Sequence, residues 1–398
     1  MASASSPPAG QTLLQAGTAR RGLAGFFLSG LLFSFLGVIL PAWGHHIAGD
    51  FITVGYYFLA MNLGILAAPL PARLLRNKTL SAPLALACGL ACAAFLYLAL
   101  LPPGTNPWWR MAGIFLLGCG AGLLNLGTFR AITPLYRHDA AATVNLAGAM
   151  FGAGCVVMTI LVAGTFYVYS VMSILIFVAI IPGLFLAMYA TTRFSAEAPV
   201  QQATLRQAFA DFKSLAAVLF TLLLFFQFGN EWAIAGWLPL FLIQRLGISP
   251  ESSLMLLAEY WLALLVGRVV AISVLPYVSR SKLLMGSVLA AMFGCAILIS
   301  TNNMFGAATG VLLVGGGFAS IYPLVVVRIG DRFPYYHPGF FNGIFSLALT
   351  GGLLAPWSLG YFTSFWGIRV AMLLPLLGTL MVFLLLVLIW AEAKFHED

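Results

Sequence analysis

Long apolar runs recur along the whole chain, and short polar turns separate them. A helix needs about 20 predominantly apolar residues to cross the hydrocarbon core of a bilayer, whereas a strand of a membrane barrel needs only about half as many. The runs in this chain have the length that a helix requires. The pattern therefore predicts twelve membrane-spanning helices, at residues 22–43, 52–75, 81–101, 108–135, 141–166, 167–190, 214–244, 252–277, 281–300, 303–328, 338–362 and 368–391.

Polar segments at the ends and near the middle of the chain divide this series in two. The predicted parts are a disordered cytoplasmic N-terminus at 1–21, a six-helix bundle at 22–190, a cytoplasmic linker at 191–213, a second six-helix bundle at 214–391 and a cytoplasmic tail at 392–398. The fold class that follows is an all-α membrane protein.

The composition supports this interpretation. Of the 398 residues, 62% are hydrophobic and 8% are charged, whereas soluble domains carry about 25% charged residues. The formal net charge of +8 does not indicate a nucleic-acid partner, because nearly all Lys and Arg fall in loops on one side of the predicted membrane. Basic loops face the cytoplasm. We therefore expect a multi-pass protein of the cell (inner) membrane with both termini in the cytoplasm.

The two predicted bundles contain an internal repeat. Gly113 and Gly118 in the fourth span correspond to Gly310 and Gly315 in the tenth. Further matches, at offsets of about 197 to 204 residues, pair Arg130 with Arg328, Asn145 with Asn342, Gly152 with Gly351 and Arg76 with Arg280. Duplicated six-helix halves are typical of major-facilitator transporters, whose solute site lies near the midplane between the halves. The repeat therefore predicts a transporter and not an enzyme.

One polar cluster interrupts the seventh span. The stretch Phe225–Leu240 places Gln227, Asn230, Glu231 and Trp237 where the hydrocarbon centre is expected. An intramembrane carboxylate is costly unless it faces protein or water, so it indicates a functional site. Spacings of three, four and seven residues bring these side chains to roughly one side of a helix. We predict that they bind the solute.

Other polar residues in the spans give weaker predictions. Asn62 and Asn125 are solute-binding candidates in the first half, although a membrane Asn often only bonds a neighbouring helix. Glu259 in the eighth span is, with Glu231, a candidate for proton coupling. Arg130, Arg328 and Arg268 are interpreted as gating or structural residues near the cytoplasmic side. The five cysteines lie in apolar spans without metal-site spacing, so we predict no metal and no other cofactor.

Short motifs resemble the fucose–galactose–glucose:proton symporter family of major facilitators. They are Glu231-x5-Trp237-Leu238, Tyr260-Trp261-x5-Gly267-Arg268, Tyr322-Pro323, Gly351-Gly352-x3-Pro356-x3-Gly360 and Asn145-x6-Gly152-x-Gly154. The resemblance implies sugar transport by alternating access, and Tyr322 and Asn342 become further solute-binding candidates. Proton-coupled members of the family use carboxylates in the first and fourth spans, where this chain has no acid; the fourth-span position is Ala121 or a neighbouring apolar residue.

Two functions follow as hypotheses. The leading one is a secondary active or facilitative transporter of a small polar solute, a hexose or related sugar, with proton coupling through Glu231 or Glu259 left open. The alternative is an efflux pump or flippase for an amphipathic drug or lipid, which the Phe-rich first and seventh spans would suit. Either protein would act as a monomer among membrane lipids, and the solute and the transport direction are not determined by the sequence.

Overall fold

Helices make up nearly all of the part of the chain that the structure describes. The computed structural model describes residues 9–75, 79–133, 135, 140–194, 214–333 and 343–395. The helices are α1 (Ala9–Ile39), α2 (His45–Ala48), α3 (Phe51–Ala67), α4 (Pro69–Leu74), α5 (Ser81–Leu100), α6 (Pro107–Ala131), α7 (Ala140–Thr165), α8 (Val171–Thr191), α9 (Leu215–Leu246), α10 (Pro250–Val274), α11 (Arg280–Ser300), α12 (Met304–Arg332), α13 (Gly343–Trp366) and α14 (Val370–Phe395).

These helices follow the predicted series of spans. Within the described residues, eleven helical segments are long and apolar enough to cross a membrane. Helix α13, with 24 residues, stands at the position of the predicted eleventh span. Helix α1 begins at Ala9, so residues 9–21, which were expected to be disordered, are helical. Their sequence explains the difference, because Gln, Leu, Ala and Arg are good helix formers and outnumber the weaker Gly10, Thr12, Gly17 and Thr18.

The helices group into two compact units. Unit 1 comprises Met1–Phe33, Ala60–Gly154 and Met172–Pro199, and unit 2 comprises Ser34–Leu59, Cys155–Val171 and Val200–Asp398. This grouping assigns α2 and parts of α1, α3, α7 and α8 from the first sequence half to unit 2. The two units therefore differ from the two contiguous six-helix bundles that the repeat predicts, and those bundles stay a prediction.

Glycine contacts hold helix pairs together in unit 1. A Cβ added to Gly154 of α7 would lie well under 3.0 Å from the backbone carbonyl oxygen of Phe27 in α1, and one added to Gly118 of α6 would meet the carbonyl of Met61 in α3 equally closely. Only glycine permits such an approach. Small residues of this kind are the usual means of helix packing in membranes, where apolar burial between helices is not the driving force.

Unit 2 repeats the same contacts at matching positions. Gly351 of α13 lies against the carbonyl of Phe225 in α9, as Gly154 lies against Phe27, and Gly315 of α12 lies against the carbonyl of Tyr260 in α10. Gly351 and Gly154, like Gly315 and Gly118, are separated by the repeat offset of about 197 residues. The sequence repeat is therefore also a repeat of backbone contacts. It also shifts one correspondence, since the partner of Gly351 is Gly154 and not Gly152.

We expect Gly351→Ala to destabilise the protein, because the new methyl group would meet the backbone of Phe225, which cannot move aside as a side chain can. Overpacking of this kind costs about 1–3 kcal/mol. The measurement is the midpoint of thermal unfolding in detergent. Gly286→Ala on α11 is the matched control, since nothing lies within 4 Å of that position. An equal midpoint for the two variants would contradict the prediction.

Candidate functional site

The site is built on α9 around Glu231. The side-chain amide of Gln227 donates a hydrogen bond from Nε2 to Glu231 Oε1 at 2.8 Å, across one turn of the helix. The Tyr260 hydroxyl of α10 donates to the backbone carbonyl of Glu231 at 3.4 Å. Gln227 and Tyr260 are completely buried, while Glu231 is half-buried. The carboxylate thus combines a fixed position with partial access.

Arg268 of α10 supplies the opposite charge. It is half-buried, and its charge acts on both Glu231 and Tyr260. Sequence reasoning treated Arg268 as a structural residue that meets loops on the cytoplasmic side. Spacing within α10 shows only that Arg268 and Glu259 point apart; it contains no information about α9. The acid–base relation between Glu231 and Arg268 is therefore visible only in the structure.

Some buried polar atoms on α9 and α10 have no hydrogen-bond partner among the described residues. Among them are Gln227 Oε1, Trp261 Nε1 and Arg268 Nε. Leaving such a group unsatisfied costs about 1–3 kcal/mol, so native proteins normally satisfy them with water or a ligand. These three atoms are one acceptor and two donors. It is suited to a solute that both donates and accepts hydrogen bonds.

Two indole rings border this group. The Trp232 and Trp261 rings meet edge to face, with centroids 6.4 Å apart. Trp261 is 4% exposed and Trp232 is half-buried. Aromatic faces of this kind bind the apolar side of a solute while an indole N–H binds its polar edge. Sequence reasoning quoted Trp261 only as part of a family motif, and its unpaired N–H is the signal that spacing could not provide.

Trp237 lies among protein contacts in this structure, and its solute-binding role stays a prediction. Its ring is fully buried, its Nε1 donates to the carbonyl oxygen of Pro356 in α13 at 2.9 Å, and its face stacks on Phe58 with centroids 6.2 Å apart. The ring is therefore occupied by protein contacts in this conformation. Asn230 also faces elsewhere, because its amide lies directly against Gly378 of α14. Neither residue adjoins the Gln227–Glu231 pair as the spacing suggested.

The stack of Phe58 on Trp237 belongs to a larger contact at the predicted outer side of unit 2. The Tyr361 hydroxyl donates to the Tyr56 hydroxyl at 2.7 Å. Gly37 of α1 lies against the carbonyl of Ala235 in α9, and Gly55 of α3 lies against α13 at Gly360. Helices from both sequence halves are thus in backbone contact here. Within unit 2, these contacts hold α1, α3, α9 and α13 together.

The short helix α2 adjoins these contacts. Gln244 Nε2 donates to the backbone carbonyl of His46 at 2.6 Å. Partial burial lowers the pKa of the His46 imidazole, and a hydrogen bond with the backbone of Pro41 opposes that effect. Because the ordinary pKa is 6.5, the ring is largely neutral near pH 7. His46 therefore adds little positive charge to this part of unit 2.

The other candidates from the first half lie in unit 1. Asn62 of α3 is half-buried and has an interaction partner within the structure. Asn125 of α6 is half-buried, and its backbone carbonyl accepts a hydrogen bond from Thr128 at 3.0 Å. Arg130 is exposed in the last turn of α6. These placements are compatible with the predicted roles, which stay predictions.

The remaining candidates lie in the second half. The Tyr322 ring of α12 lies 5.4 Å, centroid to centroid, from Phe228 of α9, close to the Glu231 group along that helix. Glu259 lines a groove of about 460 Å³ with residues of α10, α11 and α12, and no described hydrogen bond or ion pair joins it to Glu231. Arg328 donates to Ser281. Asn342 lies outside the described residues.

No cluster of three or more His, Cys, Asp or Glu side chains that could hold a metal occurs in the described parts of the chain. The chemistry that the site supports is hydrogen bonding and charge pairing.

A sequence model of the Major Facilitator Superfamily matches residues 22–352. The chain belongs to the major facilitator superfamily. Members of this superfamily are transporters with two six-helix bundles, which confirms the predicted fold class and excludes an enzyme.

Similar proteins agree with this assignment. An uncharacterised transporter of the superfamily from Yersinia pestis is 26% identical over 149 residues, which span 37% of this chain and 39% of that relative. The fucose:proton symporter FucP of E. coli has the same fold, with a TM-score of 0.61 over 93% of this chain and 98% of its own at 15% identity. The nucleoside transporter NupG has a TM-score of 0.70 over 93% and 99% of the two chains, also at 15% identity.

Trp237 and Trp261 give opposite predictions for stability. Trp237→Phe removes the donor to the Pro356 carbonyl, and we expect it to lower the stability of the folded protein by about 1–3 kcal/mol. Trp261→Phe removes an N–H that has no described partner, and we expect no comparable loss. The measurement is the thermal unfolding midpoint of the two matched variants. A loss for Trp261→Phe as large as that for Trp237→Phe would contradict the assignment.

Proposed function

We propose that this major facilitator moves a small, neutral, hydroxylated solute, a hexose or related sugar, across the cell membrane by alternating access. The observation that carries the proposal is the set of buried polar atoms without described partners beside a half-buried carboxylate, at Gln227, Glu231, Trp261 and Arg268. Carboxylate and amide oxygens accept hydrogen bonds from hydroxyl groups, and indole and guanidinium N–H groups donate to hydroxyl oxygens. One hydroxylated ring would satisfy both kinds of group.

The charge of the site supports a neutral solute. The site contains one acidic side chain, Glu231, and one basic side chain, Arg268, so an ionised Glu231 would balance the charge of the guanidinium. An ionic solute would bring an unbalanced charge into a region where the desolvation of ions is expensive. The fold neighbours are a fucose:proton symporter and a nucleoside transporter, and both of those solutes are neutral or nearly neutral and hydroxylated.

Glu231 is also the proposed site of proton coupling. Gln227 donates a hydrogen bond to its carboxylate. Uptake of a proton by Glu231 would change this bond and the electrostatic interaction with Arg268, and would thereby link protonation to solute binding. Helix α1 offers no acid for this purpose. Glu259 remains a second coupling candidate, in a separate groove.

We expect Trp261→Phe to weaken solute binding without changing stability, because it removes one hydrogen-bond donor and keeps an aromatic ring. The loss of one such bond to a neutral solute corresponds to about a threefold to tenfold weaker affinity. The measurement is a thermal-shift titration with fucose, galactose, glucose and uridine. Trp366→Phe, at a ring that is 69% exposed, is the control. Unchanged affinity for the solute that binds wild type would exclude Trp261 from the site.

We expect Glu231→Gln to abolish uptake driven by a pH gradient in proteoliposomes, with at least a tenfold loss of rate. Exchange of labelled for unlabelled solute without a gradient should continue, because Gln keeps the size and polarity of Glu. Glu259→Gln is the matched variant that separates the two carboxylates. Wild-type rates and the same pH dependence in Glu231→Gln would refute both the site and the coupling proposal.

A specific feature of unit 1 favours the alternative of an amphipathic drug or lipid. Phe27 and Phe33 are the large side chains of α1 that are partly exposed near mid-membrane, and Phe33 meets the Phe151 ring at 6.0 Å, centroid to centroid. Apolar rings of this kind suit a greasy substrate. Export of a fluorescent lipophilic cation, or flipping of a fluorescent phospholipid, in the same proteoliposomes would favour the alternative. Sugar-specific exchange would favour the leading proposal.

A further inference from the structure

A second concave surface lies far along the chain from the Glu231 group, where α11 begins and α12 and α14 end. The groove has a volume of about 360 Å³. Its apolar wall is formed by Leu284, Met285, Leu386 and Val387. By the distribution of basic loops, this end of the three helices is on the predicted cytoplasmic side of the membrane. An apolar wall at that depth faces the acyl chains next to the lipid headgroups.

Basic side chains stand at the rim of this groove. Lys282 and Arg328 line it directly, and Arg328 donates to the Ser281 hydroxyl. The Lys394 ammonium lies 4.8 Å from the centroid of the Trp390 ring, which is part of the lining. Trp at the membrane–water boundary is a usual anchor at the level of the headgroups. Two cations thus line the same groove as Trp390, and a third lies over its ring.

The acids nearby do not neutralise these cations. Asp331 pairs with Arg280 at 3.4 Å, and Glu392 pairs with Arg332 at 2.6 Å. Asp331 also acts on Arg328 at longer range. Within the described residues, Lys282, Arg328 and Lys394 have no salt bridge of their own. The rim therefore carries a net positive charge.

The start of α11 adds to this positive character. The Ser279 side chain caps the helix by accepting a hydrogen bond from the backbone N–H of Lys282 at 3.4 Å. The first turn of a helix carries a partial positive charge and presents free N–H groups, both of which favour an anion. Ser281 and Lys282 lie in that first turn. The backbone and the side chains therefore favour the same kind of ligand.

We propose that this groove binds an anionic phospholipid of the inner leaflet. The phosphate would be held by Lys282, Arg328 and Lys394, and one acyl chain would lie along the wall of Leu284, Leu386 and Val387. Basic recesses between membrane helices on the cytoplasmic side are suited to anionic headgroups. A free phosphate would use the bases but not the apolar wall, so the combination of the two favours a lipid. This proposal does not depend on the nature of the transported solute.

The test is native mass spectrometry of the detergent-purified protein with added phosphatidylglycerol or phosphatidylcholine. We expect wild type to retain phosphatidylglycerol more tightly than phosphatidylcholine. The double variant Lys282→Gln/Arg328→Gln should lose about thirtyfold in affinity for phosphatidylglycerol, since each base near the membrane surface attracts an anionic lipid with a severalfold effect. Arg369→Gln, an exposed base in a loop on the opposite side, should behave as wild type.

Two further measurements complete the test. Val387→Trp would fill the groove from an exposed position and should reduce lipid retention while leaving every base in place. Inorganic phosphate added at millimolar concentration should not displace the lipid. Equal retention of both lipids by wild type, unchanged retention in the double variant, or full displacement by phosphate would each overturn the proposal. Unfolding midpoints within a few degrees of wild type would confirm that the variants are folded.

Discussion

The close approach of glycine to a neighbouring backbone carbonyl is the contact on which the rest of this structure depends. Helices in a bilayer cannot gain much by burying apolar surface against one another, because lipid already surrounds that surface. Contacts such as Gly351 with the Phe225 carbonyl and Gly154 with the Phe27 carbonyl bring whole helices within van der Waals distance. Polar side chains on α9 and α10 can then meet each other instead of the hydrocarbon, which makes the Glu231 group possible.

The polar group around Glu231 interrupts an otherwise apolar interior. Each unsatisfied buried atom costs free energy that a purely structural core would avoid, yet Gln227 Oε1 and Trp261 Nε1 remain without described partners. The pairing of Glu231 with Gln227 keeps the carboxylate in place, and Arg268 balances its charge. A transporter needs such a region to be favourable for solute in passing but not so favourable that the solute stays. Buried polar atoms without a partner in the protein give a site this property, because a passing solute satisfies them only while it is bound.

The sequence predicted those features that depend on local spacing. The spans follow from the length of apolar runs, and the bond between Gln227 and Glu231 follows from a separation of one helical turn. The internal repeat predicted which glycines are equivalent in the two halves, with one error: the partner of Gly351 is Gly154, two residues after the expected Gly152. Contacts between helices were less accessible. Arg268 was placed with the cytoplasmic loops because nothing in the spacing of α10 relates it to α9.

Aromatic residues show the same limit. Trp237 and Trp261 look alike in the sequence, and one is bonded to Pro356 while the other has a free indole N–H. Which of the two is available depends on the rotation of α9 and α10 against their neighbours. The helical start at Ala9 was also missed, since a polar composition alone indicated disorder although the residues themselves favour a helix.

The stack of Phe58 on Trp237 joins α3 to α9 within unit 2. Separation of two such rings costs about 1 kcal/mol beyond the exposure of their surface, which is roughly a fivefold change in an equilibrium between two conformations. This stack therefore helps to hold α3 against α9 in the arrangement that the structure shows. Because phenylalanine is the smallest hydrocarbon ring among the side chains, loss of the ring, as in Phe58→Leu, is the change that would remove the stacking and shift the equilibrium away from this arrangement by about fivefold. The chain has nine tryptophans, so a fluorescence readout of Trp237 would need a variant in which the other eight are phenylalanine.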